Sequence, residues 1–317
     1  MLGPAAPLLA RIGRNATAFI AVSCLIGLVF PDLAAISRPT LTWLVFVLMA
    51  LAFLQVSPAD LARRLKRPAR AIVADVWIVV ALPMIALGIG TLFGLQESDP
   101  ELLLMIFLVT APTPLISAPT LAAIMGLDTA LMLAVVLIAQ MMVPLTAPAI
   151  SALFVGPDLP LSVVDLALRL FAIVGVAFLV SSVVRRLAGP ERIRRGRPLF
   201  DLLAVLFIVW FAIGAMDGLR AAIAENPLDM LFILSFAYAI AFAQMAITWL
   251  VFRRVFGPDA VAIAYASGNR NMGLLVAAIG VMALPDRVWY FFALAQLPIF
   301  TIPYLFKGLA ARLSRPA

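Results

Sequence analysis

The chain has 317 residues, of which 65% are hydrophobic and 12% are charged, and its mean hydropathy is +1.13. A soluble core of this length cannot use so much apolar surface, whereas membrane-spanning helices of about 20 apolar residues each can. The net charge of +7 comes from basic residues in short clusters between apolar segments. That pattern is typical of cytoplasmic loops, so we expect the partner to be a lipid bilayer and exclude nucleic acid.

Two residue types that carry much enzyme chemistry are scarce. The sequence has no histidine, which excludes His-ligated metal sites, His general bases and Ser-His-Asp triads. Its single cysteine, Cys24, has no partner for an intrachain disulfide. HExxH and Asp-rich motifs are also missing, so we expect neither an enzyme nor a bound cofactor.

Apolar runs between charged or Pro/Gly-rich breaks predict an all-α polytopic membrane protein with ten transmembrane helices. In chain order these spans are 16–31, 39–57, 70–94, 101–124, 128–154, 161–187, 199–219, 228–256, 258–284 and 287–309.

Basic residues fall almost entirely on one side of these spans. One set of connections carries Arg11 and Arg14, Arg63 to Arg70, Arg185 to Arg197, Arg253 and Arg254, and then Lys307 to Arg315. The other set carries only Arg38, Arg220 and Arg287, together with acidic residues. The positive-inside rule therefore predicts that both termini are cytoplasmic, and an even number of spans agrees with it. We expect a multi-pass protein of the bacterial cytoplasmic (inner) membrane.

Ten spans divide into two repeats of five, residues 1–154 and 155–317, within a single membrane unit. An odd number per repeat forces the second to insert upside down, as in many secondary transporters. Corresponding helices four and nine should then both be interrupted. The fourth contains Ala111–Pro119, in which three prolines fall within the eight residues 112–119. The ninth contains Gly268–Gly273, with a glycine at each end. The alternative to an inverted repeat is that the two breaks are unrelated kinks, which are common in membrane helices.

Broken helices expose N–H groups and positive dipole ends at membrane depth, where they attract anions. Arg270 adds a full positive charge, and nearby amides and hydroxyls supply hydrogen bonds. This chemistry suits a small organic anion, a carboxylate or a sulfonate. The predicted substrate-binding residues are Thr113, Ser117, Thr120, Asn269, Arg270, Asn271 and Gln296.

An unpaired Arg270 near the bilayer centre would cost at least ~2.5–3.5 kcal/mol. Asp75, about seven residues into the third span, is the other deep ionisable residue within reach. We predict an Asp75–Arg270 pair that couples transport to protons. A static bridge and an Asp75 side chain that extends to the interface are the alternatives. Gln140 and Gln244 are interpreted as helix–helix hydrogen bonds.

The chain resembles the bile acid:sodium symporter family over nearly its whole length. The similar residues are Leu65–Pro68, Pro112 to Ser117 with the Gly126–Asp128 turn, and Asn271–Leu274. The resemblance implies a ten-helix inverted-repeat fold in which spans one, two, six and seven form a panel domain and the other six a core. It places the substrate beside the crossing of helices four and nine.

The family's sodium ligands are largely replaced. Ser117 is kept, but the resemblance places Ala118, Met132, Val136, Ala266, Arg270 and Ile78 where side-chain oxygens would be expected. Sodium prefers several oxygen ligands, and a guanidinium at that position supplies a positive charge permanently. Ser117, Ser267 and Asn269 are the side chains left to bind sodium, so the departures argue against a sodium site.

These observations predict a secondary transporter of a small organic anion in which Arg270 replaces bound sodium. Coupling to protons, exchange and passive transport remain open. A sodium symporter that uses backbone carbonyls and Ser117 is one alternative, and a non-transporting sensor on a transporter fold is another. The identity of the anion, the direction of transport and the oligomeric state do not follow from the sequence.

Overall fold

A computed structural model describes residues 16–56, 69–156 and 159–313 of the chain. The described residues are all helical apart from turns and short connections. The Leu65–Pro68 motif and the predicted cytoplasmic residues Arg11, Arg14, Arg63 and Arg315 lie outside them. Among the described residues, seven helices are long and apolar enough to cross a membrane. They span Pro31–Gln55, Ala69–Leu92, Thr129–Phe154, Val163–Ala188, Pro190–Glu225, Pro227–Phe252 and Asp286–Ala310. The chain is a multi-pass helical membrane protein.

The helices of the first part of the chain end at Phe154. They are α1 (Ala16–Val29), α2 (Pro31–Ser37), α3 (Leu41–Gln55), α4 (Ala69–Val76), α5 (Leu82–Leu92), α6 (Leu95–Ser98), α7 (Pro100–Thr110), α8 (Ala118–Met125) and α9 (Thr129–Phe154). A 3₁₀ turn, Arg38–Thr40, joins α2 to α3, and a π-helical turn, Trp77–Ala81, joins α4 to α5.

The second part begins at Val163. Its helices are α10 (Val163–Ala188), α11 (Pro190–Ala215), α12 (Leu219–Glu225), α13 (Pro227–Phe252), α14 (Asp259–Gly268), α15 (Met272–Ile279), α16 (Asp286–Leu294) and α17 (Gln296–Leu313). The two spans that the sequence predicts to be interrupted, 101–124 and 258–284, are each divided in two, into α7 and α8 and into α14 and α15.

The helices form two groups, and the members of each group pack against one another. In one, α1 and α3 lie against α11, and α3 also lies against α10. In the other, α9 contacts α4, α8 and α14, while α13 packs along α14 and α16. Helices α14 and α15 are buried along their entire lengths, because other helices surround them on every side. Such all-round burial explains why these segments are apolar on every face.

Charged side chains join three helix starts at one end of the molecule. Arg287 bonds to both oxygens of Asp99 at 2.9 and 3.0 Å and to Asp229 at 3.0–3.2 Å. These three residues lie at the beginning of α16, α7 and α13, and Asp99 also caps α7 by accepting from the Leu102 N–H. Acidic residues are favourable at helix N-termini, and the bidentate arginine neutralises two of them at once.

We expect Arg287→Ala to lower the free energy of unfolding by about 2 kcal/mol, because it leaves two partly buried carboxylates unpaired. Thermal unfolding in detergent measures this. Arg192→Ala is the control, since Arg192 is exposed and makes no ion pair within the described residues. Equal melting temperatures for the two variants would show that the Arg287 bridge contributes no stability.

Candidate functional site

The first break separates α7 from α8. Pro112 and Pro114 cannot donate to the carbonyls of Leu108 and Thr110, their partners in a regular helix, so α7 ends at Thr110. The chain then runs without helical structure to Ser117, where α8 begins with Ala118 and Pro119 in its first turn. Proline is well suited to the first turn of a helix, because its missing N–H would have no partner there.

The second break separates α14 from α15 and is shorter. Helix α14 ends at Gly268, three extended or irregular residues follow, and α15 begins at Met272. A Cβ at Gly268 would lie 2.6 Å from the Ala241 carbonyl oxygen and against the Met245 side chain of α13. Only glycine permits this close approach, so Gly268 fixes where the second break lies against α13.

The two unwound segments pair with each other. The Asn271 N–H donates to the Thr113 carbonyl at 2.8 Å, and the Leu115 N–H donates to the Asn269 carbonyl at 2.9 Å. Together they form an antiparallel bridge between Pro114 and Arg270. Non-helical backbone at membrane depth is tolerated only where its polar groups are satisfied inside the protein. Each break here supplies the hydrogen bonds that the other needs.

Arg270 lies at the centre of this crossing, and its side chain is 1% exposed. Its Nη2 donates to the Ile78 carbonyl at 2.6 Å, and its Nη1 donates to the Pro112 carbonyl at 3.0 Å. Nε and Nη2 both donate to Gln244 Oε1, at 3.4 and 3.3 Å. Three oxygens from three different spans therefore surround the guanidinium.

Local sequence explains why the Ile78 carbonyl is available. In the π-helical turn the Leu82 N–H donates to the Trp77 carbonyl, one residue further back than in an α-helix. The next residue, Pro83, has no N–H with which to continue the series, so the Ile78 carbonyl has no helical partner. The wide turn followed by proline thus creates an acceptor for Arg270.

Asp75 lies one turn before Ile78 and is fully buried. Among the described residues, neither of its carboxyl oxygens has a hydrogen-bond donor, and no ion pair joins it to Arg270. The predicted direct Asp75–Arg270 bridge is therefore not formed in this structure. The guanidinium faces Ile78, Pro112 and Gln244 instead, and these acceptors occupy its forked N–H groups.

A cavity of about 500 Å³ lies beside the crossing. Five of the seven predicted substrate-binding residues line it: Ser117, Thr120, Arg270, Asn271 and Gln296. Arg270 borders the cavity, and its Nε, Nη1 and Nη2 each donate at least one hydrogen bond to a protein oxygen. The first N–H groups of α15 have no partner within their own helix, and Met272 and Gly273 also line the cavity. The cavity therefore meets the positive ends of α8 and α15.

Thr113 and Asn269 do not line the cavity; both are fully buried, and their backbone groups form the hydrogen bonds of the crossing. The Asn269 amide donates to the Tyr265 hydroxyl at 2.5 Å and to the Ile299 carbonyl at 3.4 Å. Ser267, predicted as a residual sodium ligand, also lies away from the cavity, and its hydroxyl donates to the Gln244 and Ala264 carbonyls. These residues have structural roles in the crossing.

The polar residues Gln55, Gln140, Arg197 and Asp201 line the cavity but are not among the predicted substrate-binding residues. Gln140 lies in the cavity wall, whereas its position in an apolar span was interpreted as that of a helix–helix hydrogen bond. Its spacing from Leu133, Val136 and Leu137 places all four on one face of α9, and this periodicity was the available signal. Gln244 does make a hydrogen bond between spans, because its Oε1 accepts from the Arg270 guanidinium. Gln296 donates to the Phe292 carbonyl one turn earlier.

No protein-family model matches the sequence, and no curated protein matches it either.

Gly268→Ala should lower the free energy of unfolding by about 1–3 kcal/mol, because the added methyl group meets a backbone carbonyl that cannot move aside. Thermal unfolding in detergent is the measurement. Gly175→Ala in α10 is the matched control, since no atom lies within 4 Å of its new methyl group and alanine favours the helix. The close approach of α14 and α13 is refuted if both variants unfold at the same temperature.

Proposed function

We propose that the protein is a secondary transporter of a small organic anion, a carboxylate or a sulfonate, which binds beside the crossing of the two broken helices. The observation that carries this proposal is the arrangement of helix ends around one buried cation. The N-terminal ends of α8 and α15 border the cavity together with Arg270, whose guanidinium is held by the Ile78, Pro112 and Gln244 oxygens. Helix N-termini bind anions without needing a charged side chain.

The fold proposed for this function has ten spans in two inverted repeats of five, residues 1–154 and 155–317. The seven long helices, α1 and the two broken pairs would supply them. The mutual packing of α1, α3, α10 and α11 supports the panel domain implied by the resemblance to the bile acid:sodium symporter family. Corresponding breaks in helices four and nine support the inversion.

The cavity extends from the crossing toward Gln55, Arg197 and Asp201. The positive-inside rule places these residues on the cytoplasmic side, so we assign the structure to an inward-facing state. At the other end Arg38 donates to the Val281 carbonyl at 3.1 Å, and Arg169 donates to the Ala278 and Ile279 carbonyls. Both contacts join the panel helices to the rest and would open in an outward-facing state.

Arg270 would perform the electrostatic role of a bound sodium ion. It lies two residues beyond the end of α14, and its acceptor Pro112 lies two residues beyond the end of α7. The C-terminal ends of helices carry partial negative charge, which a cation stabilises. A covalently attached guanidinium among oxygen acceptors leaves no need for a free cation at this position.

We therefore expect uptake of labelled carboxylates or sulfonates into proteoliposomes to be unchanged when choline replaces sodium. Arg270→Gln should lower uptake about tenfold or more, because it removes a buried, hydrogen-bonded charge. Arg192→Gln is the control on the cytoplasmic side, and protein-free liposomes give the background. Strict sodium dependence of the wild-type protein would favour a sodium symporter instead. No flux of any anion would favour a non-transporting sensor.

Asp75 is proposed as the proton-coupling residue. A buried carboxylate without hydrogen-bond donors is costly, and a bound proton removes its charge. Its position one turn from the Ile78 carbonyl connects it to the Arg270 site through a single helix.

Asp75→Asn should abolish the stimulation of uptake by an inward proton gradient while exchange of substrate between the two sides continues. Proteoliposomes with an imposed pH difference measure the first property, and counterflow of labelled substrate measures the second. Asp32→Asn is the matched control, because Asp32 is exposed. A proton response that survives in Asp75→Asn would remove Asp75 from the coupling mechanism.

A further inference from the structure

Gln140 has a side-chain amide without a protein partner in the wall of the cavity, whereas the unpartnered Thr113 hydroxyl lies outside that wall. The Gln140 side chain is fully buried within α9, and it belongs to the wall of the cavity. Among the described residues, neither its Nε2 nor its Oε1 has a hydrogen-bond partner. Its neighbours on the same helix face, Leu133, Val136 and Leu137, are apolar.

An amide buried without a partner costs about 1–3 kcal/mol, so a glutamine used only for packing should be replaced easily by leucine or methionine. The common structural role of a membrane glutamine is a hydrogen bond to another helix. Gln244 has that role, but Gln140 does not. Both amide atoms of Gln140 therefore lack a protein partner at the wall of the cavity.

The chemistry of an amide defines what that molecule should present. Gln140 offers one acceptor oxygen and one donor nitrogen, which a hydroxyl or an amide group can satisfy. A carboxylate satisfies only the nitrogen, and the N–H groups of Met272 and Gly273 at the start of α15 suit the carboxylate better. Each guanidinium nitrogen of Arg270 already donates to a protein oxygen.

We propose that Gln140 selects the substrate class: organic anions that carry a hydroxyl or amide group close to the anionic group. The anionic group binds at the start of α15, the neighbouring hydroxyl or amide binds Gln140, and the apolar remainder lies along the apolar wall. That wall includes Val45, Leu48, Met49, Ala52 and Ile208. This inference rests on the proposed function, because it assigns the specificity of the same site.

The test uses the purified full-length protein in detergent and carboxylates of about four to eight carbons, each paired with its 2-hydroxy derivative. An example is 4-methylpentanoate with 2-hydroxy-4-methylpentanoate, and N-acetylleucine represents the amides. Binding is measured by ligand-induced thermal shift over a concentration series. The wild-type protein should bind the hydroxy member of a pair about tenfold more tightly, as expected for one well-formed hydrogen bond in a buried site.

Gln140→Leu should remove this preference while affinity for the plain carboxylate stays the same. It should also leave the unfolding temperature of the ligand-free protein unchanged or raised, because no protein group loses a hydrogen bond. Gln96→Leu is the matched control, since Gln96 is exposed and bonds to the Phe154 carbonyl away from the cavity. It should keep the wild-type preference.

The outcomes separate the two proposals. If carboxylates bind but the hydroxy and plain members bind equally, or if Gln140→Leu weakens both members alike, Gln140 does not select the substrate. A markedly lower unfolding temperature for ligand-free Gln140→Leu would show a structural role and would also overturn the inference. If no carboxylate or sulfonate binds to the wild-type protein, the proposed function itself fails, and this inference fails with it.

Discussion

The pairing of two unwound segments inside an apolar bundle is the interaction on which the site depends. Proline and glycine interrupt two helices, and each interruption leaves backbone groups that lipid cannot satisfy. The bonds between Thr113 and Asn271 and between Leu115 and Asn269 satisfy them mutually. Each break thus supplies hydrogen bonds to the other, and these bonds join the two halves of the chain.

Helix ends that carry partial negative charge and helix ends that carry partial positive charge both lie at this crossing. Helices α7 and α14 end there, and Arg270 with its three oxygen acceptors lies close to both ends. Helices α8 and α15 begin there, and their first residues border the cavity. The cation thus stabilises the negative ends, while the N–H groups of Met272 and Gly273 at the positive end of α15 have no partner within their own helix. The buried charge of Arg270 and the proposed anion site beside it arise from the same geometry.

Buried polar residues near the crossing serve different purposes, which their contacts distinguish. Asn269 and Ser267 are bonded to neighbouring helices and hold the break in place. Gln244 completes the surroundings of Arg270. Asp75 and Gln140 have no such partners, and these are the residues to which we assign proton coupling and substrate selection. The wide turn before Pro83 shows how a backbone irregularity can replace a side-chain ligand.

Composition and hydropathy were enough to identify a multi-pass helical membrane protein, because burial in lipid requires long apolar helices. The positions of both breaks also followed from the sequence, since proline and glycine act locally through missing N–H groups and backbone freedom. Which residues face the cavity did not follow. Thr113 and Asn269 lie in the crossing, Gln140 lies in the cavity wall, and Arg270 bonds to the Ile78 carbonyl and not to Asp75. These outcomes depend on how distant helices approach one another, and only the tertiary structure brings together a turn near residue 78, a break near 113 and a side chain at 270.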